Sequence, residues 1–303
     1  MLLGMATGDA CGFRFENLPA DEVKRLLSEG LIPGQYTDDT QQALAVSELM
    51  ISNCPFNQWN LSRFLLMVYQ RDKREGYSPL TRKMLEDSPD PDSFLSYIPE
   101  NEKVLRKSDG AAMRALPLGF FARREDVISY ALKSASITHG HQEACAVTIA
   151  IACIAYERYH LKTPFREIWW HIRDAILDVS SDTVQYCDKC ANLSFLDREI
   201  ILESHRSYGV PYTDARILLG AVLCLLKLFG EDQERVLHEA LLLGGDTDTT
   251  AAIVLGVSLL HEKPEKKISE LINRLESGRF GRPYLEKIGD LLTERYPPKT
   301  SSP

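Results

Sequence analysis

The sequence predicts an all-α fold, a single compact multi-helix domain. Three observations carry that prediction. Apolar residues recur at helical spacing rather than alternating as in strands. Some runs, 145–155 above all, are apolar nearly all round, as helices in the middle of a bundle are. Only short pieces such as Leu31 to Pro33 read as extended.

Along the chain, Pro33-Gly34 is a break before a helix over 40–51 (TQQALAVSELMI) and a shorter one over 61–71. The stretch 87–101 (DSPDPDSFLSYIPEN) reads as a second break. Helices are then expected over 124–136, 142–158 (QEACAVTIAIACIAYER) and 165–178. A third break falls around 205–211 (HRSYGVP). Beyond it the pattern gives helices over 213–229 (TDARILLGAVLCLLKLF), 232–243, 246–260 (DTDTTAAIVLGVSLL), 265–276 and 284–294. No break is long or low in complexity, so one domain over 1–296 is expected, with 297–303 (PPKTSSP) as a frayed tail.

The 303 residues include 43 acidic and 35 basic side chains, a net charge of −8. That balance argues against nucleic acid or an anionic membrane as partner. No run of 18 apolar residues suggests a membrane span. The opening MLLGMATGDACG lacks a basic region and is interrupted by Asp9, unlike a signal peptide. Seven scattered cysteines, with Cys145, Cys153 and Cys224 inside apolar runs, fit a reduced, cytoplasmic protein. Cys187 and Cys190 have no second pair with which to hold a metal.

Two helix starts concentrate the chemistry: Tyr36-Thr37-Asp38-Asp39-Thr40 and Gly244-Gly245-Asp246-Thr247-Asp248-Thr249-Thr250. Thr and Asp are ordinary helix caps. A cap needs one oxygen, however, and each segment offers two carboxylates and at least one hydroxyl. Four carboxylates brought together without a cation would repel one another or be forced to hold protons. Hard oxygen ligands of this kind suit Mg²⁺, Mn²⁺ or Ca²⁺ rather than zinc.

These segments, taken with three others, resemble the ADP-ribosylglycohydrolase family, which includes dinitrogenase-reductase-activating glycohydrolase. GMATGDACGFRFE (4–16) is similar to the family's N-terminal helix, and YTDDT (36–40) to its first metal motif. SDGAAMRALPLG (108–119) matches its substrate loop, ITHGHQEACAV (137–147) its Thr-His segment, and GGDTDTTAAIVLG (244–256) its most diagnostic motif. The motifs keep the family's order.

The resemblance implies an all-α enzyme that hydrolyses the bond at the anomeric carbon of ADP-ribose. It implies two Mg²⁺ ions (Mn²⁺ as the alternative) held by Thr37, Asp38, Asp39, Asp246, Asp248 and Thr249. Either Glu16 or Asp39 would activate water, and the choice stays open. Substrate contacts would come from Ser108, Asp109, Gly110, Ala111, Met113 and His139. The partner would be a mono-ADP-ribosylated protein, linked through arginine or serine, or a small ADP-ribose conjugate, and a monomer is expected. The alternative is a catalytically silent relative that binds ADP-ribose or metal.

Other residues divide between a site and plain structure. Gly4, Gly8 and Gly12 are spaced for close helix packing; the resemblance implies that Glu16 lies at the mouth of the cleft, the alternative being an exposed helix end. Asp9 reads as a structural hydrogen-bond partner, and Arg114 as the partner of a buried carboxylate. His141 reads as a solvated cap, and Gly76-Tyr77-Ser78 as a turn or a substrate loop. Trp169 is expected in the core and Trp170 half exposed. Two departures from the family stand out. Asp109 replaces the usual Asn, an extra carboxylate beside a diphosphate, and after Gly256 the sequence GVSLLHEKPEKK lacks the family's G-A-x-x-G pattern. The last helices are therefore expected to shape the cleft differently.

Overall fold

The structure, a computed structural model, describes residues 1–202 and 209–299. Its first half runs α1 (Leu2–Gly12), α2 (Ala20–Glu29), α3 (Asp38–Ile51), α4 (Gln58–Arg71), α5 (Pro79–Asp87), α6 (Pro91–Ser96), α7 (Glu100–Lys103), α8 (Arg124–Ser136) and α9 (Gln142–Tyr156). The second half adds α10 (Ile168–Ile172), α11 (Asp174–Leu177), α12 (Ser181–Asn192), α13 (Arg198–Ile201), α14 (Ala215–Phe229), α15 (Gln233–Leu243), α16 (Thr247–Ser258), α17 (Lys266–Arg274) and α18 (Arg282–Arg295). The described residues form no strand beyond a single bridge between Val210 and Gly245. No helix among them is long and apolar enough to cross a membrane.

The predicted all-α class is what the chain adopts, and the apolar-all-round runs occupy the centre. From Ala144 to Tyr156, α9 is buried on every side, α16 is buried along its whole length, and α3 everywhere but at Ile51. Around them the shorter helices carry narrower apolar faces: α2 buries only Val23 and Leu26, and α5 only Met84 and Leu85.

The closest pairing joins the two ends of the sequence. Helix α1 lies against α16 with almost no side chains between them. A methyl group placed on Gly8 would lie 2.2 Å from the Ala251 carbonyl oxygen, on Gly12 2.5 Å from that of Thr247, and on Gly4 2.7 Å from that of Leu255. The glycine spacing is thus a packing device, as expected. Its consequence is positional, because the Thr247 hydroxyl donates to the Gly12 carbonyl at 2.8 Å and locks the start of α16 beside the end of α1.

Some expectations need correction. The segment 165–178 holds two short helices, and the first begins only at Ile168, after a turn in which the Glu167 N–H donates to the Pro164 carbonyl. The 87–101 break contains α6 and α7; Asp90 caps α6 and Pro91 opens it, a pairing as good at a helix start as in a turn. Helices α2, α5 and α12 go unpredicted. The tail begins docked, since the Lys299 ammonium donates to the Tyr156 hydroxyl at 2.6 Å and its N–H to His160 at 3.3 Å. Residues 300–303, and 205–208 of the third break, lie outside the described residues. No disulfide forms among the described residues, and Cys187 and Cys190 are buried. Trp169 is buried and Trp170 exposed.

Candidate active site

The two acidic helix starts open into one cavity of about 390 Å³. Each is held there by a local device. Thr37 stands at the cap position of α3 without using its side chain as a cap. The capping carboxylate comes instead from α1. Asp9, fully buried, accepts from the Thr37 N–H at 3.0 and 2.9 Å, the Thr37 hydroxyl at 2.9 Å, the Thr40 N–H at 3.1 Å and the Thr40 hydroxyl at 2.6 Å. Burial still outweighs these bonds and pushes the Asp9 carboxyl up to about 6. Because Asp9 satisfies the helix end, Asp38 and Asp39 are left to face the cavity.

At α16 the cap is internal, with Asp246 Oδ1 accepting the Thr249 N–H at 3.2 Å. Gly244 and Gly245 both stand at φ 76°, and a side chain on Gly245 would meet the Val210 carbonyl oxygen at 2.2 Å. Gly76, at φ 91°, serves α3 in the same way; a methyl group there would lie 2.1 Å from Asp38 Oδ1. Glycine lets the 75–78 loop pass directly over the acidic start.

The electrostatics are those of a frustrated cluster. Burial raises Asp38, Asp39, Asp109 and Asp248 well above the usual carboxylate range, and neighbouring carboxylates add to the rise. For Asp39 the neighbours are Asp38, Asp9 and Asp246; for Asp248 they are Asp246, Asp39, Asp9 and Glu16. Half-buried Glu16 is raised by burial and then by Asp246, while Asn17 donates to its Oε1 at 3.1 Å. Asp39 Oδ1 and Asp109 Oδ2 are shielded from solvent with no hydrogen-bond partner.

Among the described residues, no three His, Cys, Asp or Glu side chains form a ready-made metal cage. The donor set nevertheless fits a hard divalent cation. It consists of carboxylate and hydroxyl oxygens, one of them orphaned, in a cluster that carries excess negative charge.

The opposite wall is built from the 108–114 loop and Thr138-His139. Ser108 Oγ and His139 Nε2 lie 2.7 Å apart, His139 Nδ1 and Thr138 Oγ1 2.8 Å, and Arg114 Nη2 donates to Thr138 Oγ1 at 2.7 Å. Burial first, then the charges of Arg106 and Arg114, holds His139 well below its usual pKa, so its ring is neutral.

A family model described as ADP-ribosylglycohydrolase matches residues 1–293. The chain belongs to the ADP-ribosylglycohydrolase family. It is therefore an ADP-ribosyl glycohydrolase, an enzyme that cleaves glycosidic bonds. The chain is 23% identical to "ADP-ribosylhydrolase ARH3" of Xenopus tropicalis over 345 residues, covering 99% of this chain and 97% of that protein. It is 23% identical to the Danio rerio protein of the same name, with 86% and 81% covered. An uncharacterized Archaeoglobus fulgidus protein is 25% identical, with 83% of each covered. In fold, the chain is similar to a solved structure named "ADP-ribosylglycohydrolase-related protein complex", with TM-score 0.70, 24% identity, and 97% of this chain and 96% of that one covered.

The family model runs past Gly256 to residue 293, so the departure seen there is local. It also leaves the cavity alone, since among the described residues none that lines it lies beyond Thr249. Of the residues that the ADP-ribosylglycohydrolase resemblance implied, eleven line the cavity: Glu16, Asp38, Asp39, Ser108, Asp109, Gly110, Met113, His139, Asp246, Asp248 and Thr249. Two do not. Thr37 is buried behind the wall with its hydroxyl proton committed to Asp9, although its oxygen lone pairs stay near Asp38. Ala111 faces away, packed with Ala135 and Cys145.

The Asp109 N–H donates to the Tyr212 carbonyl at 3.2 Å, so it is not free for a ligand, and Asp109 itself sits against Asp246. Among the described residues, Arg114 has no carboxylate partner. Its guanidinium reaches the Ser134 hydroxyl and carbonyl, the Gln42 amide oxygen, the Gly110 carbonyl and the Thr138 hydroxyl. Burial and the nearby Arg106 charge lower it to about 9, still a cation at neutral pH. His141 caps α9 by accepting the Glu143 N–H at 3.2 Å. The Gly76-Tyr77-Ser78 loop does line the cavity.

Sequence reasoning missed Gln42, Arg106, Thr138 and Tyr212, which also line it. Only Gln42 left a signal. It follows Asp38 by four residues, and its amide donates to Asp38 Oδ2 at 3.2 Å.

Proposed function

We propose that this glycohydrolase depends on divalent metal and removes ADP-ribose from mono-ADP-ribosylated arginine or serine side chains, or from small conjugates with the same linkage. The metals would be two Mg²⁺ ions (Mn²⁺ as the alternative) held by Thr37, Asp38, Asp39, Asp246, Asp248 and Thr249. One observation carries the reading: carboxylates from both helix starts share a single cavity with an unpartnered Asp39 oxygen.

Bound there, the ions supply Lewis-acid polarisation of substrate oxygens. The chain's own groups do the rest. Asp9 fixes the backbone of Thr37 and Thr40, and so aims Asp38 and Asp39. Asp39 is almost wholly buried among like charges, a position suited to a metal ligand. Glu16 is only half-buried and is tethered by Asn17 through one oxygen, which leaves the other for a water. Burial and the Asp246 charge raise its carboxyl, which makes it a better base than an ordinary glutamate. Water attacks the anomeric carbon as its proton passes to Glu16, the bond from that carbon to the side-chain nitrogen or oxygen breaks, and the proton is handed on to the departing atom. The neutral His139 ring holds the Ser108 hydroxyl, which offers a hydrogen bond to the sugar-phosphate portion of the substrate. A volume near 390 Å³ is within the usual range for a small-molecule site.

The test is release of free ADP-ribose from arginine- and serine-linked peptides, with Mg²⁺ and with a chelator. Turnover of at least one linkage is expected with Mg²⁺, and loss of it on chelation and in Asp248→Ala. Full activity in chelator would remove the metal from the reading. Binding of ADP-ribose without turnover of any conjugate would remove the substrate assignment.

A further inference from the structure

The cavity has an acidic side, explained above, and one cation that nothing yet accounts for. Arg106 lines the cavity, with its Nη1 shielded from solvent and without a hydrogen-bond partner. The neighbouring basic groups are all engaged. Arg114 is held by five oxygens, and Lys107 pairs with Asp214 at 3.8 Å. Its backbone N–H donates to the Lys103 carbonyl at 3.0 Å, but the Arg106 guanidinium forms no ion pair or hydrogen bond among the described residues. A guanidinium donor held out of water without an acceptor is costly, and such orphans are rare without a functional reason. The carboxylates of the same cavity do not fill the role, because none lies within ion-pair distance of it.

The hydroxyl beside Arg106 is also directed outward. Thr138 Oγ1 accepts from Arg114, and the only acceptor offered to its own proton is His139 Nδ1. With the ring neutral, the proton then sits on Nε2 and is donated to Ser108 Oγ. Ser108 is left with its O–H free to donate and no acceptor for it among the described residues. One charged fork and one hydroxyl donor, both unsatisfied, therefore share a wall in a site that is otherwise acceptor-rich.

We propose that Arg106, with the Ser108 hydroxyl, is the anion receptor of this cavity and binds the substrate's diphosphate. Planar guanidinium donors match phosphate oxygens two at a time, and the positive charge offsets the repulsion an anion meets in an acidic cleft. Arg106 thereby selects phosphate-bearing ADP-ribosyl groups over unphosphorylated ribosides. This inference rests on the functional reading above for the identity of the ligand, but not for the presence of an anion site.

Calorimetry with full-length protein tests it, using wild type, Arg106→Ala and Arg106→Lys, each checked for folding by thermal melting. ADP-ribose with Mg²⁺ is expected to bind Arg106→Ala roughly 10- to 100-fold more weakly than wild type, the loss of charge-assisted hydrogen bonds. Arg106→Lys should recover only part of this, since it keeps the charge and loses the fork. Adenosine should bind all three alike, and Mn²⁺ affinity should not change. Unchanged ADP-ribose affinity in Arg106→Ala overturns the proposal, as does an equal loss for adenosine, which would mean that the side chain only shapes the pocket. Pyrophosphate in chelator separates the two readings. If wild type ignores ADP-ribose but binds pyrophosphate in an Arg106-dependent way, the anion site stands and the assigned substrate falls.

Discussion

Substituting Gly8 with alanine should weaken the molecule through a contact that involves no side chain of its own. The added methyl group would lie 2.2 Å from the Ala251 carbonyl oxygen, 2.4 Å from its carbon and 2.7 Å from the Ala252 nitrogen. All three are backbone atoms, so no rotamer change relieves the overlap, and α1 and α16 must separate. Overpacking of this kind costs about 1–3 kcal/mol, and a rigid backbone places the cost toward the upper end or beyond. Alanine's better helix propensity returns up to about 1 kcal/mol. The net loss is then about 1–3 kcal/mol. Taking about 2.1 cal/mol/K of unfolding entropy per residue, 303 residues give roughly 1.6 °C per kcal/mol, a fall in Tm of about 2–5 °C. Gly289→Ala, inside α18 with open space around it, is the control and should be neutral or stabilising. Thermal denaturation of both in the same buffer decides it. A Gly8→Ala protein as stable as wild type, or no worse than Gly289→Ala, would refute the claim that backbone contact sets this interface.

Two further outcomes are expected. Asp9→Asn keeps one acceptor but turns an N–H₂ group toward donors, so chemical denaturation should show a loss of about 1–3 kcal/mol, with Mn²⁺ binding weakened in parallel. Without metal, the buried carboxylates stabilise the fold when protonated, because their folded pKa values lie above the unfolded ones. That contribution is complete below about 3.8 and disappears as pH rises through the folded values, about 6 for Asp9. In chelator, melting temperature should thus drop between pH 5 and 8. Added Mg²⁺ should raise it more at pH 8 than at pH 5, and an equal shift at both would contradict the charge argument.

Much of the fold and half of the site were legible because they rest on local patterns. The acidic starts of α3 and α16 announce themselves, as does the i, i+4, i+8 glycine spacing of α1. Helices α2 and α5 were harder to read because two buried residues each leave too short an apolar stripe. In α12 the buried face is made largely of Thr183, Tyr186, Cys187 and Cys190, which do not look like a hydrophobic run. The site residues that escaped depend on tertiary context. Arg106 and Lys107 are adjacent cations with the same sequence signal, yet one enters the cavity and the other stays exposed. Asp9 could be placed near the site from its motif, but the four groups it binds belong to a segment 28 to 31 residues away.

The joining of α1 to α16 also sets the order in which the cleft can come into being. Glu16, Asp38 and Asp39 leave the ribosome roughly two hundred residues before Asp246, an interval of about 10–40 s at ordinary synthesis rates. Throughout that time the glycine face of α1 has no partner, and the first carboxylates have no like-charged neighbours from the far end of the chain. The self-repulsion among the carboxylates is therefore complete only when the last wall closes. A polypeptide cut short anywhere before α16 would lack both the cleft and the share of the repulsion that Asp246 and Asp248 add.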